Sequence, residues 1–347
     1  MSGMAAHPKA ESGALVRRGA LHGRPRPLVI VGLALGLLGG LAFLSLMYGA
    51  VNLSPVEVWR GLTSDSDLFA RNVVWKIRYP RLIDGMLVGA ALAVSGSLLQ
   101  GVTRNPLADP TILGVTAAAG LASAIAIVIN PQVPQWGIAM SCVAGGLFGA
   151  GLLFFIAWRG AVSPVRLALA GVALSAFFGA VIVALLSSSR TFLQTSLGFL
   201  AGGLYGSEWR DFDAAVLYVA PGLVVAFLLS GRLNALALGD DVAAGLGVLT
   251  DRTRLAILAV CGVLTAAAVS IAGLVGFVGL VCPHLARFTV GSDNRYLVPV
   301  SALYGALLVT AADLVARLVI APSEIPMGIF TAAVGAPFLL YLVKFRG

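Results

Sequence analysis

Charge is what this chain has least of. Only 11% of its 347 residues are Asp, Glu, Lys or Arg, where a soluble domain has roughly 25%. A large core does not explain the deficit, because a soluble core still lies beneath a charged surface. Most of the exterior must therefore face lipid. Lysine is reduced to Lys9, Lys76 and Lys344. None follows a phosphate loop of the form G-x-x-x-x-G-K-[ST], so the chain has no motif for hydrolysing ATP itself. His7, His22 and His284 are far apart, and no His/carboxylate cluster has the spacing of a metal site. Cys142, Cys261 and Cys282 sit singly in apolar runs, which argues against a disulfide framework or cysteine metal site and for packing. Ionisable residues within apolar runs are also scarce. Asp84, Arg287 and Asp313 come nearest, each toward a run end. An intramembrane enzyme or a proton-coupled carrier usually needs such groups. The secondary transporter is kept as the alternative from a different class.

What the chain has in abundance is apolar and small: 59% hydrophobic residues and 42 glycines. Small residues let membrane helices approach closely. No charge occurs between Asp109 and Arg159, an interval too long for one helix. Pro131 and Pro134 divide it, since proline breaks a helix. The same reasoning predicts an all-α protein with ten transmembrane helices at 28–50, 82–102, 111–129, 136–158, 166–187, 214–231, 255–272, 274–290, 297–319 and 326–343. The seventh and eighth require a very tight turn at Gly273 and Gly276. Residues 1–27 read as a disordered cytoplasmic tail, and 28–347 as one ten-helix domain whose first run is an uncleaved span.

The net charge of +8 would suggest nucleic acid in a soluble protein. Here the arginines lie at run ends, where topology and lipid headgroups account for them. With the N-terminus inside, fifteen of the 23 Lys and Arg fall on the inner face. The bias places both termini in the cytoplasm of a cell whose cytoplasmic (inner) membrane holds the chain. Residues 51–81 then lie outside. Residues 232–254 lie inside and read as two short helices, the first at Leu233–Leu238, turning at Gly239-Asp240-Asp241. The corner Arg104-Asn105-Pro106 to Asp109-Pro110 reads as helix punctuation, with Pro110 opening the next helix. Gly85, Gly89, Gly145, Gly149, Gly276 and Gly279 read as packing glycines. Asp84 is read as a partner of Arg81 or as a headgroup-level acid, and Asp313 as an i,i+4 partner of Arg317. His284 beside Pro283 reads as structural.

Nine strings then occur in one order: RYPR (78–81), GAALAVSGSLLQ (89–100), TRNPLADPTILGV (103–115), SPVRLALAGVALS (163–175), LAGGLYGSEW (200–209), NALALGDDVAAGLGV (234–248), GFVGLVCPHLAR (276–287), ADLVAR (312–317) and EIPMGIFTAAVGAPFLLYLV (324–343). Together they resemble the FecCD family, permease subunits of ABC importers for iron-siderophores, heme and cobalamin. The resemblance implies the type II ABC importer permease fold and import of a ferric siderophore in bacteria, with heme or cobalamin as the alternative cargo. It implies a non-enzymatic transport subunit that binds no cofactor. ATP-Mg would sit on two cytoplasmic ATPase subunits. A second permease subunit, identical or paralogous, and an extracytoplasmic substrate-binding protein would complete the complex. By resemblance, Arg78, Arg81 and Arg317 are exposed docking charges for the binding protein. Leu238, Gly239, Asp240, Asp241, Ala244, Gly245 and Gly247 meet the ATPase, and glycine permits the sharp turns there. Ser163, Pro164 and Val165 form the inner gate. Ser163 and Ser187–Ser189 are expected to add polar patches to the path.

Overall fold

The computed structural model describes residues 27–64, 67–159, 161–187 and 199–346. Helices α1 (Pro27–Met47), α2 (Pro55–Thr63) and α3 (Leu68–Asn72) come first. A π-helical turn (Val73–Arg78) runs directly into α4 (Tyr79–Thr103). There follow α5 (Val115–Ile129), α6 (Gln135–Ala157), a two-residue antiparallel hairpin β1 (Trp158–Arg159) and β2 (Ala161–Val162), and α7 (Pro164–Ser187). The chain continues through α8 (Trp209–Ala237), α9 (Asp240–Gly245), α10 (Thr250–Ala272), α11 (Val278–Val290), α12 (Asn294–Leu318) and α13 (Met327–Arg346). Seven segments among the described residues are long and apolar enough to cross a membrane. The shorter apolar helices α5, α11 and α13 bring the apolar helices to ten. The expected tail, Ser188 and Ser189 lie outside the described residues, as does residue 160.

Helix α4 is the axis of the molecule. It packs on α12, α10, α8 and α11, and every position from Ala91 to Gln100 is buried. A helix buried on nearly all sides must be lined by small residues if its neighbours are to come close. Gly89 of α4 meets Gly305 of α12, and a Cβ at Gly89 would lie 2.1 Å from the Gly305 carbonyl oxygen. Gly96 meets Gly279 of α11, where an added Cβ would lie 2.0 Å from a carbonyl oxygen. Gly145 and Gly149 are crowded too, against Ala118 of α5 at 2.6 and 2.5 Å. Gly276 is not a packing residue: it faces open space. By contrast α1 and α7 carry exposed apolar side chains, Leu33 and Leu37 on one and Leu169 and Phe177 on the other, as surfaces against lipid or another subunit require.

Several element boundaries differ from expectation. The second span begins at Tyr79 and is preceded by helix from Leu68, so the RYPR string lies inside a helix. Pro110 does not open α5. Residues 104–114 form turns, with Asn105 and Asp109 accepting from the backbone of Leu107 and Thr111. Residues 233–237 continue α8, so the inner segment holds one short helix, α9. The tight turn at Gly273 is present. Gly273 has φ +66°, and Leu274 donates to the Phe199 carbonyl at 2.9 Å.

Replacing Gly89 with leucine forces backbone against side chain at the α4–α12 crossing, and overpacking of this kind costs about 1–3 kcal/mol or more. Gly36→Ala in α1, where nothing lies within 4 Å, should be neutral or stabilising by up to ~1 kcal/mol, because glycine is a poorer helix former than alanine. Thermal unfolding of the detergent-solubilised protein compares the two. Equal melting temperatures would contradict this account of the crossing.

Candidate functional site

Two clusters of charge stand out, one at each end of α4. At the N-terminal end, Arg78, Arg81 and Arg317 are only 5%, 9% and 5% exposed. Arg81 and Asp313 are joined by two donors, Nε at 3.0 Å and Nη2 at 2.8 Å, both to Oδ1. Arg81 Nη1 reaches Glu324 at 2.9 Å. Arg317 stands four residues after Asp313 and pairs with it at 3.1 Å. Its guanidinium also donates to Ser45 Oγ at 2.6 Å and to the Tyr48 carbonyl at 3.3 Å. Arg78 donates to the carbonyls of Leu46 and Val51, at and beyond the end of α1. Cations are favoured at a helix C-terminus, where carbonyls lack intrahelical donors. One network therefore fastens α1, α4, α12 and the connection carrying Glu324.

This corrects the expectation that the three arginines are exposed. The physical reason is the uninterrupted helix from Leu68 to Thr103. It sets Arg78 and Arg81 three residues apart on a face that packs against neighbouring helices instead of on a loop in water. The Asp313–Arg317 pairing is as expected. Asp84 is fully buried but does not pair with Arg81. It lies beside Ser207 and Asp211 instead. Glu324 opens the EIPMG string, and its role is not readable from the residues around it, because its partner is 243 residues away.

At the opposite end of α4 the 238–249 segment forms an apolar knob. Leu238, Val242, Leu246 and Leu249 are 65%, 49%, 64% and 62% exposed. Asp241, Ala244, Gly245 and Gly247 are exposed with them, and Ala243 alone anchors α9 in the core. Gly239 and Gly247 have φ +115° and +79°, the region where glycine is at home. The sequence points to Leu238, Gly239, Asp240, Asp241, Ala244, Gly245 and Gly247 here, within the apolar pieces Leu233–Leu238 and Val242–Leu249. What it does not show is that Leu238, Val242, Leu246 and Leu249 stay outside, on a helix too short to bury them. Asp240 is only partly exposed and is occupied within the chain. It accepts from Arg254 at 2.7 Å and from the Arg104 guanidinium. Burial tends to raise its pKa, but Arg254 and Arg104 outweigh that and hold the carboxyl below the ordinary value. A lowered carboxyl pKa stabilises the fold above the unfolded value. The contribution is lost as pH falls through the folded one.

Ser163 stands immediately before α7, its carbonyl accepting from Leu167 at 3.0 Å. Val165 is 67% exposed, next to the outward apolar face of α7. His284 is buried, its Nδ1 3.0 Å from the Leu280 carbonyl and its ring against Phe338. No group of three metal-ligating side chains occurs among the described residues.

Breaking a buried ion pair by removing one partner costs about 3–5 kcal/mol, because the other charge stays buried. Asp313→Asn, which removes the anion shared by Arg81 and Arg317 and leaves Arg81 only Glu324, should lower stability by this order. Arg210→Gln, at the exposed pair with Glu208, should cost at most ~1 kcal/mol. Thermal melts of the two variants test this, and a mild Asp313→Asn variant would remove the network from its structural role.

Comparisons with known proteins agree with the architecture. The FecCD transport family model matches residues 30–345. The iron(3+)-hydroxamate import system permease protein FhuB of Bacillus subtilis is 40% identical, covering 91% of this chain and 83% of that one. The cobalamin import system permease protein BtuC of Halobacterium salinarum is 44% identical over 80% of this chain and 74% of its own. A solved structure described as a metal-chelate type ABC transporter in an inward-facing conformation superposes with a TM-score of 0.81 at 33% identity, covering 92% of this chain and 99% of that one. The chain is a multi-pass membrane protein and a transport subunit, and it belongs to the FecCD transport family.

Proposed function

We propose that this chain is the membrane-embedded half of an ATP-driven importer for a ferric siderophore, acting in the cytoplasmic membrane with both termini inside. The observation that carries the reading is the knob at 238–249. Four large apolar side chains project from the end of a helical body, and that surface suits a docking cleft on another protein. The chain has no nucleotide-binding loop of its own, so the partner at the knob is an ATPase, present twice in a complex with a second permease subunit. ATP-Mg belongs to that partner.

In this reading the permease pair alternately opens a shared path toward each side. Ser163, Pro164 and Val165 lie at its inner gate, at the start of a helix whose exposed apolar face meets the second copy or paralogue. A substrate-binding protein delivers the cargo at the opposite end. There the buried Arg78, Arg81 and Arg317 act beneath the docking surface, holding α1, α4 and α12 in register. Exposed cations such as Arg60 and Lys76 supply the charge that steers docking. The siderophore assignment follows the iron-hydroxamate relative, which is matched over nearly the whole chain. Cobalamin is the second reading, favoured by the higher identity of the cobalamin relative over a shorter stretch.

Proteoliposomes holding the complete complex should take up a ferric hydroxamate only with ATP and the binding protein present. Leu246→Asp should abolish co-purification of the ATPase while leaving the chain folded. Uptake that persists without ATP would establish a secondary transporter, and uptake of cobalamin but not the hydroxamate would move the cargo to the second reading.

A further inference from the structure

A cross-brace lies directly beneath the knob. Asp240, the first residue of α9, is held by two arginines from different helices. Arg254 comes from α10, and its side chain is 1% exposed. It also stands 3.9 Å from Asp251. Arg104 caps the C-terminus of α4 in a left-handed conformation, φ 48°. It donates through Nε and Nη2 to the Leu236 carbonyl, at 3.0 and 2.7 Å, in the last turn of α8. One carboxylate thus ties the short helix to α4 and α10, and Arg104 adds the end of α8.

The backbone alone makes a poor transmission here. Gly239 and Gly247 flank the knob, both at positive φ and both with nothing within 4 Å of where a Cβ would be. Such positions let α9 swivel. Without the brace, its hold on the body is the buried side chain of Ala243 and, just beyond the helix, the partly buried Val248. With the brace, a push on the exposed leucines bears on Arg104 and hence on α4. That helix is buried along most of its length, and its far end carries Arg81 in the other charge network. Coupling between distant sites needs a contiguous physical connection of this kind. We infer that Arg104, Asp240 and Arg254 are positioning residues that convert displacement of the knob into displacement of α4. The inference rests on the reading of the knob as the ATPase contact. It assigns Asp240 to the force path and not to the docking surface.

Hydrogen exchange of the complete permease–ATPase complex in nanodiscs tests it, comparing nucleotide-free with vanadate-trapped MgATP states. In the wild type, exchange should change at 238–249 and also at the far end of α4, residues 79–86. In Asp240→Asn and in Arg104→Gln the change at the knob should persist, while that at 79–86 falls about 5- to 10-fold, the size of a typical coupling factor. Asp240→Glu keeps the anion and should retain the far response. It also serves if the neutral variant does not fold. A far response of wild-type size in a neutral variant that still holds the ATPase overturns the brace. A wild-type knob that does not respond to nucleotide overturns the ATPase reading and the brace together, so the two failures are distinguishable.

Discussion

The fold depends on bringing α4 into backbone contact with its neighbours inside a bilayer. No hydrophobic driving force operates between helices surrounded by lipid tails, so shape and hydrogen bonding must do the holding. At Gly89–Gly305 and Gly96–Gly279 the carbonyl oxygens stand where a side chain would be. That closeness buries most of α4, leaving a partly exposed apolar stripe at Ile83, Met86, Leu87 and Ala90. It also lets the N-terminal end of the helix carry charge, because that end is walled in by other helices.

The two charge clusters follow from this enclosure and differ in kind. The cluster at the N-terminal end is dry. Asp313 between Arg81 and Arg317 fixes helices that have few other polar contacts, and burial makes each partner obligatory for the others. The cluster at the C-terminal end is half-open. Asp240 is 41% exposed in its side chain while Arg254 is 1% exposed. Water screens a half-exposed pair, so its contribution to stability is small. Its value lies in geometry: it decides which helices move when the knob moves.

The spans were legible because hydrophobic length is a direct physical requirement of the bilayer, and the inner segment because three glycines, Gly239, Gly245 and Gly247, and two acids interrupt it. The Asp313–Arg317 pair was legible because it is local, four residues apart on one helix. What escaped was long-range or dependent on context. The burial of Arg78 and Arg81 follows from a helix that continues through a string resembling a loop. Arg81 finds its acids 232 and 243 residues later in the chain. The internal pairing of Asp240 was not legible either, because an aspartate in a loop looks solvated until the arginines that claim it are in view. A single sequence carries no direct signal of which distant partner a charged residue will find.

The three cysteines have a use beyond packing. Cys142, Cys261 and Cys282 are all free and wholly enclosed by the helix bundle, so bulky thiol-reactive dyes find no native target in the folded protein. Any sulfhydryl introduced at a surface would report alone. The natural chain is thus already a silent background for site-directed labelling of each face in turn.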